Sequence, residues 1–262
     1  MLLKGLLRVF ATSENAIKEL NRKLSQCYSL GDYQEALSIA EQAYEESKEL
    51  GEYNQMHITA CSNLALMYKT VGRYENALNL YENAYKSYTN ILGETHKNTV
   101  TIVHNIAATH KARGEPDKAI PLLEKIIEMR RNSENTSDLV SSLNILGSCY
   151  KDIGNLEKAK TYIKEALDII EERFGKGNVM SVNSLNAMGL VCKANKEYEL
   201  AEKYLKEALQ LRENWHGESH PETLAIRHNL AELYMASGQV DKARDYLTSN
   251  VNIMQEEISK EN

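Results

Sequence analysis

The sequence is poor in several residue types, and each scarcity excludes a class of structure. Its 262 residues include only three prolines, two phenylalanines and one tryptophan. Because proline breaks the hydrogen-bond ladder of a helix, its scarcity favours long uninterrupted helices. No run of about 18 apolar residues occurs, so the sequence predicts no transmembrane helix.

Cysteine is also scarce, and no two cysteines form a C-x-x-C pair. The four cysteines are Cys27, Cys61, Cys149 and Cys192. A chain of this length can build a core without cross-links, so we expect free, mostly buried thiols in a reducing compartment. The formal net charge is −6, which argues against nucleic acid as a partner.

A repeat of about 42 residues fills the chain. Alanines recur at steps of 40 to 42 residues, at Ala36, Ala77, Ala119, Ala159, Ala201 and Ala243. Five residues before each alanine stand Gly31, Gly72, Gly114, Gly154, Lys196 and Gly238. Apolar residues recur at helical intervals on both sides of this glycine, which predicts two helices joined by a left-handed turn. One such hairpin cannot bury its apolar faces alone, so neighbouring hairpins must stack.

The repeat resembles the tetratricopeptide repeat in the spacing of its small residues, tyrosine and glycine. The matching positions of the second repeat are Ala65, Tyr68, Gly72, Ala77 and Ala84. The common form has 34 residues, and the longer form is similar to the repeats of kinesin light chains. There G-x-x-H-P precedes N-L-A-x-L-Y, and residues 217–221 and 229–234 read GESHP and NLAELY. The resemblance implies an all-α fold, a right-handed α-α superhelix (solenoid) of six tetratricopeptide-type helix hairpins.

We expect residues 13–262 to form one array. Its repeats are predicted at about 13–50, 51–93, 94–132, 133–175, 176–216 and 217–258. The terminal repeats depart from the pattern, because Lys23 replaces an apolar residue and Asn250 replaces a small one. Since the ends of an array face solvent, we expect both positions to be exposed.

Residues 1–12 form a basic amphipathic segment with two interpretations. Its apolar residues are Leu2, Leu3, Leu6, Leu7 and Phe10, and its basic residues are Lys4 and Arg8. It is either a helix that caps the first repeat or a targeting segment similar to a mitochondrial presequence; a weak membrane-surface anchor is a third reading. We therefore expect a cytoplasmic protein, with mitochondrial import as the alternative.

The sequence contains no convincing combination of catalytic residues. Residues 174–178 (FGKGN) lack the first glycine of a phosphate loop. His216 and His220 have the i,i+4 spacing of metal ligands, but Gly217 and Pro221 place them in a turn. We therefore expect no enzymatic activity, no catalytic residues, no metal and no cofactor.

Two polar columns recur on the first helix of each repeat, the helix that lines the concave wall in the resembling family. One column is Lys69, Lys111, Lys151 and Lys193. The other is Asn21, Asn63, Asn105, Asn144, Asn186 and Asn229. Asparagine costs about 0.5 kcal/mol relative to alanine inside a helix. We interpret the amides from Asn63 onward as grips for a peptide backbone and the lysines as contacts for its acidic side chains, although bracing of inter-repeat turns and plain solvation are open alternatives.

The leading functional hypothesis is a protein-binding adaptor or scaffold. An extended, acidic peptide segment of another protein would lie in the concave groove, and the isolated chain would be monomeric. The alternative is a structural or assembly subunit of a larger complex, mitochondrial in one version, that packs through its convex face and ends.

Overall fold

The computed structural model describes residues 2–131 and 136–261 of the backbone, and side chains from Glu14 onward with a few gaps near the C-terminus. The helices are α1 (Leu2–Leu30), α2 (Tyr33–Ser47), α3 (Gln55–Thr70), α4 (Tyr74–Leu92), α5 (Lys97–Ala112), α6 (Pro116–Arg131), α7 (Thr136–Asp152), α8 (Leu156–Phe174), α9 (Val182–Ala194), α10 (Tyr198–His216), α11 (Pro221–Ala236) and α12 (Val240–Glu261). Two 3-10 turns, Lys48–Leu50 and Val179–Ser181, precede α3 and α9. The predicted all-α class is confirmed, since the described ranges contain no strand.

Within each unit, consecutive helices pack as antiparallel pairs, which we call hairpins. The odd-numbered helices are the first helices and the even-numbered ones are the second helices. The chain divides into two compact units, unit 1 up to Leu122 and unit 2 from Leu123 onward. Within unit 1, α1 packs on α2 and α3 on α4; within unit 2 the pairs are α7–α8, α9–α10 and α11–α12.

In unit 1, each second helix is buried between its own first helix and the next one. Tyr81 and Tyr88 of α4 pack with Ile58 of α3 on one side and Ile102 of α5 on the other. Tyr81 and Ile58 have no exposed surface. This sharing of one apolar face between two hairpins is the stacking that the repeat predicted.

In unit 2, the helices of one hairpin touch where the sequence places glycine. A Cβ atom on Gly147 of α7 would lie 2.5 Å from Cγ1 of Ile163 and 3.1 Å from the carbonyl oxygen of Ala159, both on α8. The next hairpin repeats this arrangement at Gly189, opposite Leu205. Only a residue without a Cβ permits this separation of the two backbones.

The turn inside each hairpin has the predicted left-handed residue. At the five glycine positions of that column φ lies between 78° and 84°. At the sixth position Lys196 takes the same conformation, with φ of 61°, and it is the non-glycine residue with positive φ in the described backbone. The glycine column is thus confirmed as a turn requirement, and Lys196 bears the strain of a side chain there.

The turns between hairpins are closed by side chains that cap the following helix. Asn54 and Asn178 accept hydrogen bonds from backbone N–H groups two residues later, and His96 and His220 do the same through Nδ1 at 3.2 Å. A cap of this kind satisfies one of the unpaired donors at a helix start. The histidine of the GESHP and GETH turns is therefore a capping residue.

One expectation about the ends of the array is wrong. Lys23 is exposed as predicted, but Asn250 is only 8% exposed. Its Nδ2 donates to the carbonyl oxygen of Leu224 at 3.2 Å. The amide is held against α11 because this position of the repeat faces the first helix of its own hairpin.

The opening segment continues directly into the first hairpin, because α1 runs unbroken from Leu2 to Leu30. Met1 and the side chains of residues 2–13 lie outside the described residues. The capping and targeting interpretations of residues 1–12 therefore both stay predictions. The free-thiol expectation is confirmed, as all four cysteines are free and Cys61, Cys149 and Cys192 are buried.

Candidate functional site: the polar columns of the first helices

The two predicted columns lie on first helices that are neighbours within each unit. In unit 1, α3 contacts both α1 and α5, and in unit 2, α9 contacts both α7 and α11. All nine predicted site residues are half-buried: Asn63, Asn105, Asn144, Asn186, Asn229, Lys69, Lys111, Lys151 and Lys193. In each unit the neighbouring first helices therefore form a surface that carries these amide and ammonium groups. We call this surface the wall of first helices.

The asparagine column forms hydrogen bonds from one first helix to the next. Asn63 Nδ2 donates to Asn21 Oδ1 at 2.9 Å, and Asn229 Nδ2 donates to Asn186 Oδ1 at 2.9 Å. These hydrogen bonds join neighbouring first helices and do not involve the inter-repeat turns. A primary amide has two donors and an acceptor with two lone pairs, so each bond leaves most of its hydrogen-bonding capacity unused.

The other two asparagines differ from this pattern. Asn144 Nδ2 donates to Ser184 Oγ at 2.8 Å, while its Oδ1 is buried without a partner among the described residues. Asn105 makes no side-chain hydrogen bond within the part of the chain that the structure describes. In both bonded pairs the donor asparagine stands 14 residues before the alanine of its repeat and the acceptor stands 15 before the alanine of the preceding repeat, so the two asparagines occupy adjacent rather than equivalent positions.

The lysine column is electrostatically uneven. Burial lowers the pKa of Lys69, and no carboxylate of the described residues pairs with it. Lys151 Nζ lies 2.5 Å from Asp152 Oδ1, next to it in the chain. Lys193 Nζ lies 2.6 Å from Glu232 Oε2 on α11, and this contact lowers the pKa of Glu232. Glu232, which pairs with Lys193 on the neighbouring first helix, was not predicted from the sequence as part of this site.

A set of tyrosine–glutamate contacts was also not predicted from the sequence. Tyrosines of the first helices donate to glutamates of the preceding second helices: Tyr68 to Glu41 at 3.2 Å, Tyr150 to Glu124 at 2.6 Å, and Tyr234 to Glu202 at 2.9 Å. Burial and the Glu202 contact raise the pKa of Tyr234 to about 12. The hydroxyls therefore stay protonated, and they fix how one hairpin stacks on the next.

A second polar cluster lies in unit 1, in a cleft of about 360 Å³ between α2, α3 and α4. Ser47 Oγ donates to the Tyr44 carbonyl oxygen at 2.7 Å and so receives a hydrogen bond from His57 Nδ1 at 2.9 Å. His57 Nε2 then accepts from the thiol of Cys61, with 3.5 Å between nitrogen and sulfur. Burial raises the pKa of Cys61 to about 11. The cysteine is a neutral thiol, which is unfavourable for a nucleophile.

This network predicts a pH dependence of stability. Burial lowers the pKa of His57 below its ordinary value of 6.5, so the unfolded chain binds a proton more readily than the folded one. The free energy of unfolding therefore includes a full contribution from neutral His57 above pH 6.5. This contribution decreases as the pH falls below 6.5. Urea unfolding between pH 8 and 5 should show this decrease. In the His57→Gln variant, whose amide can still bond Ser47, the part of the slope near pH 6 should shrink; an unchanged slope would assign it to other groups.

His216, His220 and Glu222 come close together at the turn before α11. Their ligand atoms lie within 4.8 Å of one another. However, His220 Nδ1 accepts the N–H of Glu222, so its Nε2 carries the proton rather than a lone pair for a metal. The Arg212 guanidinium lies 2.8 Å from the Glu222 carboxylate. The arrangement favours a helix cap with an ion pair over a cation site.

Among the helices that the structure describes, none combines the length and the apolar character of a membrane-spanning segment.

Sequence profiles of the family described as "Tetratricopeptide repeat" match residues 55–132 and 180–256, and a second such profile matches residues 140–173. Together these matches cover more than half of the chain.

Two curated proteins and one solved structure illustrate the similarity. Tetratricopeptide repeat protein 29 of Homo sapiens is 29% identical over 146 residues, which are 54% of this chain and 29% of that protein. Protein KINESIN LIGHT CHAIN-RELATED 2 of Arabidopsis thaliana is 26% identical over 232 residues, 88% of this chain and 34% of that protein. The crystal structure of NprR in complex with its cognate peptide NprX has a TM-score of 0.74 at 16% identity, covering 93% of this chain and 68% of that one.

The chain thus spans about a third of the length of these curated relatives. The structural likeness concerns the fold alone, at 16% identity. The repeat profiles, the hairpins and the left-handed glycine column agree with one another. This chain belongs to the tetratricopeptide repeat family, and its repeats are of the kinesin-light-chain-like type.

Proposed function

We propose that the chain is a non-enzymatic adaptor that holds an extended, acidic segment of another protein along the wall of first helices. The observation that carries the proposal is Lys69. It is a half-buried ammonium group whose pKa is lowered by desolvation, and no described carboxylate compensates it. An unpaired, partly buried cation is unfavourable until an anion binds beside it.

The neighbouring amides supply the second part of the proposed site. Asn105 on α5 has no side-chain partner among the described residues, and Asn63 on α3 uses one donor for Asn21. An amide that can donate and accept suits the backbone of an extended peptide, whose side chains then need only be acidic where they reach lysine. A fold neighbour is described as a complex with its cognate peptide, which is compatible with this use of the fold.

Lys193 differs from Lys69 in this proposal. Its ion pair with Glu232 would have to open before a ligand carboxylate could bind. A solvated ion pair contributes only about 0.2–1 kcal/mol, so the exchange is feasible but brings little net affinity. We therefore expect unit 1 to contribute more than unit 2 to the recognition of acidic side chains.

Peptide binding tests the proposal. The probe is a fluorescein-labelled decapeptide rich in glutamate, with a glutamine counterpart as the matched control, measured by fluorescence anisotropy at low and high salt. The Lys69→Glu/Lys111→Glu variant should bind about tenfold more weakly and lose the salt dependence. Asn105→Ala should weaken binding at every salt concentration, because it removes a hydrogen bond.

Lys86→Glu/Lys164→Glu is the control variant, since it changes the net charge equally at two exposed lysines of second helices. This variant should bind like the wild type. If the wall variant and its control bind the glutamate peptide equally, the wall is not the site. The alternative, an assembly subunit that packs through its convex face and ends, would then be preferred.

A further inference from the structure

Unit 1 contains another cleft, of about 490 Å³, where α2, α3 and α4 meet. Tyr44 and Tyr68 supply the aromatic part of its lining, and Glu41 and Glu45 of α2 add two carboxylates. The Tyr68 hydroxyl donates to Glu41 Oε1 at 3.2 Å. Among the described residues, no lysine or arginine lines the cleft. Because tyrosine rings and carboxylates both attract cations, this lining has the chemistry of a cation site.

The equivalent site of unit 2 contains a lysine of the chain itself. Tyr150 and Tyr68 both stand nine residues before the alanine of their repeat. The Tyr150 hydroxyl donates to Glu124 Oε1 at 2.6 Å, and Glu124 is the counterpart of Glu41 in the repeat. Lys158 Nζ donates to the Tyr150 hydroxyl oxygen at 3.2 Å and lies 4.7 Å from the centroid of its ring. This tyrosine–glutamate pair therefore binds an ammonium group.

The last hairpin of unit 2 has a similar arrangement. Tyr234 donates to Glu202 at 2.9 Å, and Lys242 Nζ lies 5.1 Å from the centroid of the Tyr234 ring. Lys158 and Lys242 both stand one residue before the alanine of their repeat. In the second repeat this position is Asn76, which lines the cleft of unit 1. The cleft therefore lies where two related sites contain an ammonium group, which asparagine cannot supply.

Two cations of the chain approach the tyrosines of the cleft, and both are exposed. Lys48 Nζ lies 4.9 Å from the centroid of the Tyr44 ring and 2.7 Å from Glu45 Oε1. The guanidinium carbon of Arg73 lies 5.8 Å from the centroid of the Tyr68 ring, near the limit of a cation–π contact. Neither residue lines the cleft. Since solvent-exposed charge contacts are weak, these two leave the cleft able to bind a further cation.

We propose that this cleft binds an alkylammonium group, carried by a lysine side chain of another protein. The ammonium group donates to the Tyr68 hydroxyl oxygen beside Glu41, as Lys158 does in unit 2. Its methylene chain packs on Leu64 and Leu80, which also line the cleft. The cleft shares no residue with the nine predicted residues of the wall, so the two proposals are independent. A free polyamine carries the same chemical group, and the test separates the two sources.

The test is a nuclear magnetic resonance titration of the full chain at low salt. The probes are a blocked pentapeptide of glycine and serine with one central lysine, the same peptide with Nε-acetyl-lysine, and spermidine. The lysine peptide should shift the amide signals of Glu41, Tyr68 and Asn79 saturably, with a Kd on the order of 1–10 mM for a single side chain. The acetylated peptide has the same backbone without the charge and should bind at least tenfold more weakly.

Variants at one position of the repeat test the assignment directly. Asn76→Lys supplies the ammonium group that Lys158 supplies in unit 2, so it should abolish binding of the lysine peptide. Asn90→Lys makes the same change of charge at an exposed position about 20 Å farther along α4 and should leave binding unchanged. Glu41→Gln should weaken binding at least threefold. Lys158→Asn should create a second site, with new shifts at Tyr150. Circular dichroism confirms that each variant is folded.

Three results would overturn the proposal. One is the absence of saturation up to about 50 mM lysine peptide. Another is equal binding of the lysine peptide to the wild type and to Asn76→Lys, or equal binding of the lysine and acetyl-lysine peptides. The third is saturable binding of spermidine without binding of the peptide, because the cleft would then belong to a free polyamine and not to a lysine of another protein.

Discussion

Gly147→Leu is expected to destabilise the chain by about 3 kcal/mol. The side chain would start 2.5 Å from Ile163 Cγ1 and 3.1 Å from the Ala159 carbonyl oxygen, so both a side chain and a backbone must move. Overpacking of this kind forces α7 and α8 apart. Because neighbouring hairpins share their apolar faces, the loss should spread to α9 and α10.

Chemical denaturation and hydrogen exchange measure the two parts of this prediction. The free energy of unfolding should fall, and amide protection should decrease in α9 and α10 as well as in α7 and α8. Ala225→Leu, at an exposed position in the middle of α11, adds the same side chain and should change stability by less than about 0.5 kcal/mol. If protection decreases only in residues 136–174, the hairpins of unit 2 are not coupled.

Glu213→Ala is expected to cost about 2–3 kcal/mol, because it removes the carboxylate of a mostly buried ion pair. Arg227 Nη2 lies 2.6 Å from Glu213 Oε1, with the side chains only 13% and 27% exposed. Breaking one side of a buried pair leaves an uncompensated charge, which costs more than the pair contributes. Glu218, 3.6 Å from Arg227, should limit the loss.

A matched double variant separates charge from packing. Glu213→Ala/Arg227→Met should recover most of the lost stability, since an apolar replacement for a buried ion pair is often neutral. Arg227→Met alone should be destabilising by about 1–2 kcal/mol, because it leaves the Glu213 carboxylate, 27% exposed, without its partner. Thermal unfolding followed by circular dichroism gives all three values. Equal losses in Glu213→Ala and the double variant would assign the effect to the packing of Glu213 rather than to its charge.

Parts of the candidate site were predictable, and other parts were not. The register of 42 residues predicted that Asn63 and Lys69 lie on a first helix, because position within a repeat determines position within a hairpin. It did not predict that Asn63 bonds Asn21, or that Lys193 pairs with Glu232. These contacts depend on the distance and rotation between neighbouring helices, which the repeat spacing leaves open.

The expectation for Asn250 failed for a related reason. Its position was classified by its place at the end of the array, where solvent is expected. It is buried because the column it belongs to faces the first helix of its own hairpin, where its amide reaches Leu224. Leu247 and Met254, on the neighbouring columns, are exposed in the structure.

The sequence by itself determined the helices, the hairpin turns and the family. These features follow from local rules: apolar residues at helical spacing build a helix face, and a glycine five residues before each alanine allows the left-handed turn. Only the tertiary structure decided which polar groups are free. Lys69 and Lys193 are the same residue at equivalent positions, yet one is desolvated without a described partner and the other has a glutamate 2.6 Å away. Charge and burial at a given position depend on side chains from helices about 40 residues distant, so they become readable only when those helices are packed together.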